Sequence, residues 1–211
     1  MTRHMPENAR REQILKAARR CFIENGYHPT RMDDIAHAAE LSKGGVYFHF
    51  KSKQEVFASL VQEDFDRSMK FLGDVTKGEA SIAEKMQRIG QHYLEYFDAA
   101  PEAPRFFIVM GEMALRDEEL SERLLAMQRT FIQTIASLLQ DGIDQGMLRP
   151  VDTEVVAVML KALLDGLEGL KALKHPLEIP RFLGAGIELV MRGLTADGAE
   201  PPQSTQSSSR A

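Results

Sequence analysis

Apolar residues recur at three- and four-residue intervals almost throughout this chain, and that spacing is the period of a helix, not the alternation of a strand. An all-α fold of about nine helices follows. Ile14, Ala17, Ala18, Cys21 and Phe22 mark a first helix over about residues 8 to 25, closed at Asn25-Gly26, where glycine takes the left-handed geometry of a helix end. Thr30 stands three residues before Asp33, a capping-box-like start for a short second helix carrying Met32, Ile35, Ala36 and Ala39. Ser42 offers the next N-cap, and the stretch from Ala39 to Ser42 leaves room only for a tight helix–turn–helix corner.

The segment after that corner, LSKGGVYFHFKSKQEVF at residues 41 to 57, mixes aromatic rings with lysines and two adjacent glycines. On a helix beginning after Ser42, Val46 and Phe50 lie one turn apart and can pack on Ile35 and Phe22. Lys43 and Tyr47 then form the neighbouring row toward solvent. Gly44 and Gly45 each cost about 1 kcal/mol relative to alanine in a helix, so they need a reason; lacking side chains, they let the backbone approach the floor of a nucleic-acid groove. Charge points the same way. Residues 1 to 53 hold ten Lys and Arg against six Asp and Glu, a net of +4, while the rest of the chain brings the total to −5. A basic N-terminal quarter on an acidic body suits a polyanionic partner that the body repels.

The run REQILKAARRCFIENGYHPTRMDDIAHAAELSKGGVYFHFKSKQEVF resembles the N-terminal domain of the TetR family of bacterial transcriptional regulators across about residues 10 to 60. The resemblance implies a three-helix DNA-binding domain with its helix–turn–helix at about 31 to 50, a connecting fourth helix from Ser52, and an all-helical ligand and dimer domain beyond. It implies DNA contacts from Thr30, Ser42, Lys43, Gly44, Tyr47, His49 and Lys53. Arg31 and Gly45 complete the DNA-binding candidates. Two positions depart from the family's pattern: Phe48 stands where a second hydrogen-bonding aromatic is frequent, and Gly45 where a larger side chain is frequent. His49 admits two readings, a phosphate donor or a core-facing imidazole. A metal is not expected, because the histidines lack ligand spacing and Cys21 has no partner cysteine. Lys53, at the start of the fourth helix, opposes the helix dipole, so a phosphate would be a favourable counter-charge there.

The domain division expected is 1–52 for DNA binding, 53–194 for ligand binding and dimerisation, and 195–211 as a disordered tail rich in Ser, Gln and Pro. The fourth helix is expected to Val75 with Phe57, Leu60, Val61, Phe65 and Met69 inward; further helices are expected at about 80–99, 104–115, 118–145, 153–174 and 179–194. The helix from Thr153 carries two apolar stripes. One of them, through Met159, Ala162, Gly166 and Gly169, shrinks toward glycine, and Gly186 and Val190 in the last helix offer a second surface of the same kind. Either these helices pack within one monomer or they form half of a four-helix homodimer interface, as the resemblance implies. Two subunits related by a dyad could read a palindromic operator on double-stranded DNA in successive major grooves roughly 34 to 36 Å apart.

An effector site is expected among the central helices, with Tyr93, Phe97, Phe106, Phe107, Met110, Met113, Phe131 and Leu164 as apolar walls and Arg105, His92, Gln128 and Asp165 as polar anchors. The alternative for each is ordinary core. The function expected is a ligand-responsive repressor released by a small hydrophobic or amphipathic molecule; an activator or a non-regulatory DNA-organising protein would use the same scaffold. No cofactor is implied. Enzymatic motifs are missing: there is no G-x-S-x-G, no H-E-x-x-H and no phosphate-binding glycine loop. The longest uncharged run, Thr130 to Gln140, is far below the roughly 20 residues of a membrane span, and a cytoplasmic protein is expected.

Overall fold

The structure, a computed structural model, describes residues 7–195. Among the described residues nine helices follow one another: α1 Glu7–Asn25, α2 Met32–Ala38, α3 Lys43–His49, α4 Lys53–Thr76, α5 Ile82–Ala99, α6 Ala103–Ala114, α7 Glu118–Asp144, α8 Thr153–Ala172 and α9 Ile179–Leu194. Among the described residues the only extended pairing is an isolated bridge between Leu148 and Thr195. The expected tail beyond Thr195 lies outside the described residues.

Local chemistry sets most boundaries. Ser42, Ser52, Asp117 and Asp152 each accept a hydrogen bond from a backbone N–H three residues on, which satisfies a donor that the first turn of a helix leaves free. Ser81 and Glu84 do so reciprocally at the start of α5. Gly26, at φ +82°, closes α1 as its position predicts. Helix α2 begins differently from the sequence expectation. Arg31, not Thr30, is its N-cap residue, and the Asp34 carboxylate accepts the Arg31 N–H at 2.7 Å. Thr30 is buried, and its hydroxyl sits 2.7 Å from the Gly26 carbonyl and 3.2 Å from that of Cys21, so it ties the end of α1 to the entry of α2.

Two main cores run through the molecule. The first joins Ile14, Ala18 and Phe22 of α1 to Ile35 of α2, Val46 and Phe50 beside α3, and Val56, Phe57 and Leu60 of α4. It continues without a break into Phe106, Val109 and Met113 of α6 and Leu120 of α7. The second gathers Leu72 and Val75 from the far end of α4 with α5, α7 and the inner residues of α8 and α9. Helix α4 therefore contributes to both. Its inner face is the expected one at Phe57, Leu60 and Val61, which are buried, whereas Phe65 and Met69 are half-buried.

Candidate nucleic-acid interface and effector cleft

Helix α3 is held from behind and open in front. Val46 and Phe50 are fully buried in the first core, and the Arg11 guanidinium of α1 lies 4.2 Å from the Phe50 ring. Ser42, Lys43, Gly44, Tyr47 and Phe48 are exposed, Phe48 at 71%. A phenylalanine that open on a helix anchored so firmly is unusual, because burial of its ring would be worth about 2 kcal/mol. Sequence reasoning treated Phe48 only as a departure from a pattern. Its place two positions after buried Val46 and two before buried Phe50 was the signal that it must point away from the core.

The two glycines differ. A Cβ on Gly45 would come 3.3 Å from the Ser42 hydroxyl that caps the helix, so Gly45 protects the cap. A Cβ on Gly44 would meet nothing within 4 Å. The fold makes no demand at Gly44, where alanine would favour the helix without meeting any neighbour.

The charged candidates divide. Lys43 is exposed and its ammonium lies 2.9 Å from Asp33, which raises its pKa above the ordinary lysine value; an exposed pair of this kind is weak and can be exchanged for a phosphate. Arg31 is exposed at the mouth of α2, and His49 is half-buried with its ring edge-on to Phe48. Lys53 and Thr30 are placed otherwise than expected. The Lys53 ammonium donates to the carbonyls of Tyr27, His28 and Thr30 at 2.7, 3.0 and 2.8 Å and lies 4.3 Å from the Tyr27 ring. All three of its protons are engaged, and burial lowers its pKa. Lys53 is a staple on the α1–α2 loop, and Thr30 is a buried latch in the same loop; neither side chain is free for a phosphate.

A cleft of about 160 Å³ opens between α4, α5, α6, α7 and α8. Of the expected wall residues it brings together Tyr93, Phe107, Met110 and Phe131, with Asp165, His92 and Gln128 as polar lining. Others belong elsewhere. Phe106 and Met113 are enclosed in the first core, Phe97 packs in a third small cluster with Leu167, Ile179 and Leu183, and Leu164 faces an apolar groove among α5, α7, α8 and α9 that Tyr93 and Phe131 also line. Arg105 points back to the Ile23 carbonyl of α1. These aromatic and aliphatic residues read alike in sequence because helix period alone does not say which neighbour a face will meet.

The cleft also holds residues that sequence reasoning missed: Asp64 on α4, Tyr96 on α5, and Lys161 and Glu168 on α8. Lys161, Asp165 and Glu168 are spaced by four and three, one face of a helix, and polar residues on that face beside two apolar stripes were the available signal. Lys161 is paired with Asp165. Arg19 of α1 grips Asp64 through two hydrogen bonds of 2.7 and 2.9 Å while its guanidinium lies 4.4 Å from the Phe106 ring. Burial pushes the Glu168 carboxyl up to about 7 and drives the Tyr93 and Tyr96 phenols well above their ordinary value. The His92 imidazole stacks on Phe71 at 3.6 Å, and burial lowers its pKa. Among the described residues no group of His, Cys, Asp and Glu has the arrangement of a metal site, and no helix is long and apolar enough to cross a membrane.

Helices α8 and α9 present an uncovered apolar face. Val155, Val158, Met159 and Leu163 of α8 and Phe182 and Leu189 of α9 are exposed, Met159 at 61% and Leu189 at 77%. Ala162 and Gly166 are exposed beside them, Gly169, Gly186 and Val190 are half-buried, and the three glycines have open space where a Cβ would be. The small residues are thus not consumed by close packing inside the monomer.

Comparison with known proteins gives a consistent outcome. Residues 14–60 match the family described as bacterial regulatory proteins, tetR family, and residues 83–197 match the C-terminal family described as BetI-type transcriptional repressor. The uncharacterized HTH-type transcriptional regulator YhgD of Bacillus subtilis is 28% identical over 200 residues, covering 89% of this chain and 98% of that protein. Among solved structures, the SmeT–triclosan complex superposes with a TM-score of 0.74 at 26% identity, covering 92% of this chain and 96% of that one; SmeT is the repressor of the Stenotrophomonas maltophilia multidrug efflux pump SmeDEF. A putative transcriptional regulator from Saccharomonospora viridis in complex with choline shares the fold, with a TM-score of 0.76 at 20% identity over 90% of this chain and 99% of that one.

Proposed function

The chain belongs to the TetR family of bacterial regulatory proteins, and on that basis we propose that it is a cytoplasmic repressor, homodimeric through α8 and α9, that binds a palindromic operator and is released by a small molecule entering the cleft. It is a transcriptional regulator and not an enzyme. The observation that carries the reading is the outward face of α3, where Lys43, Tyr47 and Phe48 project from a helix whose Val46 and neighbouring Phe50 are completely enclosed. Lys43 supplies a phosphate contact, the Tyr47 hydroxyl a hydrogen bond, and the bare backbone at Gly44 a close approach to the groove. Phe48 and the open Gly44 surface suit the methyl group of a thymine.

A single seven-residue helix reads only a few base pairs, so specificity calls for two copies on a dyad. The apolar face of α8 and α9 supports that assembly, since exposed side chains such as Met159 and Leu189 gain most by being covered. Release by an effector then requires only that the cleft be better filled in one spacing of the two heads than in the other.

Footprinting of the purified protein on the DNA upstream of its own reading frame tests this. The expected result is a protected, two-fold symmetric site whose half-sites are about one helical turn apart. Lys43→Ala should weaken binding and lower the salt slope by about one phosphate contact per subunit. An asymmetric site, or full affinity in Lys43→Ala at moderate salt, contradicts the assignment of α3. Transcription from the same site, raised by deletion of the regulator or lowered by it, separates a repressor from an activator.

A further inference from the structure

Side chains are unevenly distributed around α3. At about 100° per residue, the direction opposite Val46 and Phe50, which are enclosed in the first core, falls on Phe48, with Gly44 about 40° to one side of it and Gly45 about 60° to the other. The outward sector of the helix therefore carries a single side chain, a phenylalanine 71% exposed, and the His49 imidazole stands edge-on to its ring at 5.1 Å. Hydrogen-bonding groups lie to the side. The Lys43 ammonium is 5.9 Å from the centre of the Tyr47 ring and the Lys51 ammonium 3.5 Å from the Tyr47 carbonyl, and all three residues are exposed. Two cations thus bracket one phenol along one edge of the helix.

That edge suits the phosphates of one DNA strand, which fix a helix in place without conveying sequence. Base selection is left to the sector that faces the groove floor. Phe48 has neither donor nor acceptor, so it is blind to the hydrogen-bonding groups by which the major groove distinguishes base pairs. One group displayed there is apolar, the C5 methyl of thymine, and 5-methylcytosine carries the same methyl at the same place. Gly44 adds no side chain that would hold the ring off a base. An unmethylated pyrimidine leaves a gap the size of that methyl beside the ring and forfeits the contact.

We propose that Phe48 is the base-selecting residue of α3 and that it selects a C5 methyl on a pyrimidine, from thymine or 5-methylcytosine alike, with Lys43 and Lys51 holding the strand beside it. This rests on α3 lying in the major groove, as proposed above, and specifies what is recognised there: a methyl group and not a particular base pair. Lys51 takes the phosphate role for which Lys53, stapled to the α1–α2 loop, is not free. Cytosine methylation at that position of an operator therefore raises its affinity for the protein.

The test uses the full-length protein and the sequence it enriches from a library of random DNA duplexes. Each thymine of a half-site is replaced in turn by deoxyuridine, which removes the C5 methyl and nothing else; at the sensitive position cytosine and 5-methylcytosine, each paired with guanine, are then compared. At one position per half-site, loss of the methyl should weaken binding about fourfold, and about fifteenfold when both half-sites are changed. 5-Methylcytosine should bind better than cytosine by the same factor. Phe48→Ala should bring both ratios to about one with the salt slope unchanged, and its undiminished affinity for a scrambled duplex reports an intact head. Lys51→Ala should lower the salt slope by about one per subunit and leave both ratios as they are. A selected half-site without thymine, no position sensitive to deoxyuridine, ratios that survive Phe48→Ala, or 5-methylcytosine no better than cytosine each overturn the proposal. An enriched site without methyl sensitivity sinks the methyl assignment alone. Failure to enrich any two-fold symmetric sequence sinks the placement of α3 in an operator, and this proposal with it.

Discussion

Replacing Glu168 by glutamine should stabilise the protein, and by an amount that depends on pH in a calculable way. The carboxyl is held at about 7 in the folded chain against 4.5 for an ordinary glutamate. At roughly 1.4 kcal/mol per pH unit, keeping Glu168 ionised costs the fold about 3 kcal/mol, an upper figure because the cleft admits some water. The sign follows from proton counting. Between pH 4.5 and 7 the folded state holds the proton and the unfolded state has lost it, so the Glu168 contribution to stability falls as pH rises through that window. Below pH 4.5 both states are protonated and the penalty vanishes; above pH 7 it is complete. Glutamine resembles the protonated acid at every pH. Thermal unfolding of wild type and Glu168→Gln at one protein concentration should therefore coincide near pH 4, and at pH 8 the variant should melt higher by about 6 to 12 °C. Equal shifts at both pH values would mean that glutamine merely packs better. No shift at pH 8 would mean that Glu168 finds a counter-ion, and the low-dielectric account of the cleft would be refuted.

Three further substitutions are informative. Lys53→Met removes an ammonium bound to three carbonyls, so it should cost about 2 kcal/mol in unfolding experiments while leaving the salt slope of DNA binding unchanged; a slope reduced by about one with an unchanged melting temperature would restore Lys53 to the phosphates. Gly44→Ala should raise stability by about 0.5 to 1 kcal/mol because its Cβ enters open space, yet weaken operator binding; full operator affinity would leave the glycine without a reason. Glu40 turns the corner between α2 and α3 at φ +55°, and Glu40→Gly should raise the melting temperature by relieving about 1 kcal/mol of left-handed strain; a lowered melting temperature would show that the Glu40 side chain matters more than its backbone.

The helix count, the corner near position 40 and the division of α3 into an enclosed side and an open side were legible in the sequence, because each depends on spacing within a few residues. Val46 and Phe50 had to fall together, and Ser42 had to cap. Lys53 was misread for the same reason. Its role depends on carbonyls of Tyr27, His28 and Thr30, more than twenty positions away, and a lysine at a helix start looks the same in sequence whether it meets a phosphate or a folded loop. The cleft was half legible. Tyr93, Phe107, Met110, Phe131 and Asp165 line it, but Phe106 and Met113, which share their helix with Phe107 and Met110, are turned into the first core. One position along a helix is a turn of about 100°, and only tertiary packing decides which core that turn faces.

The continuity of the first core bears on how an effector could act at a distance. Phe57 of α4 meets Phe22 of α1 at 5.5 Å and Phe106 of α6 at the same distance, while Arg19 of α1 grips Asp64, which lines the cleft together with Phe65 and Ser68 of the same helix. At its other end α4 begins with Lys53, stapled to the loop that leads into α2. A close-packed contact of this kind transmits displacement because it has no slack to absorb it. If the cleft is the effector site proposed above, a ligand that moves α4 carries α1, α2 and α3 with it through these contacts, and α6, packed on the same core through Phe106, is displaced with them. In a dimer on DNA that outcome alters the distance between two recognition helices and leaves each of them able to bind. Release by an effector would accordingly appear as a lost fit to the spacing of the operator, with non-specific affinity for DNA preserved.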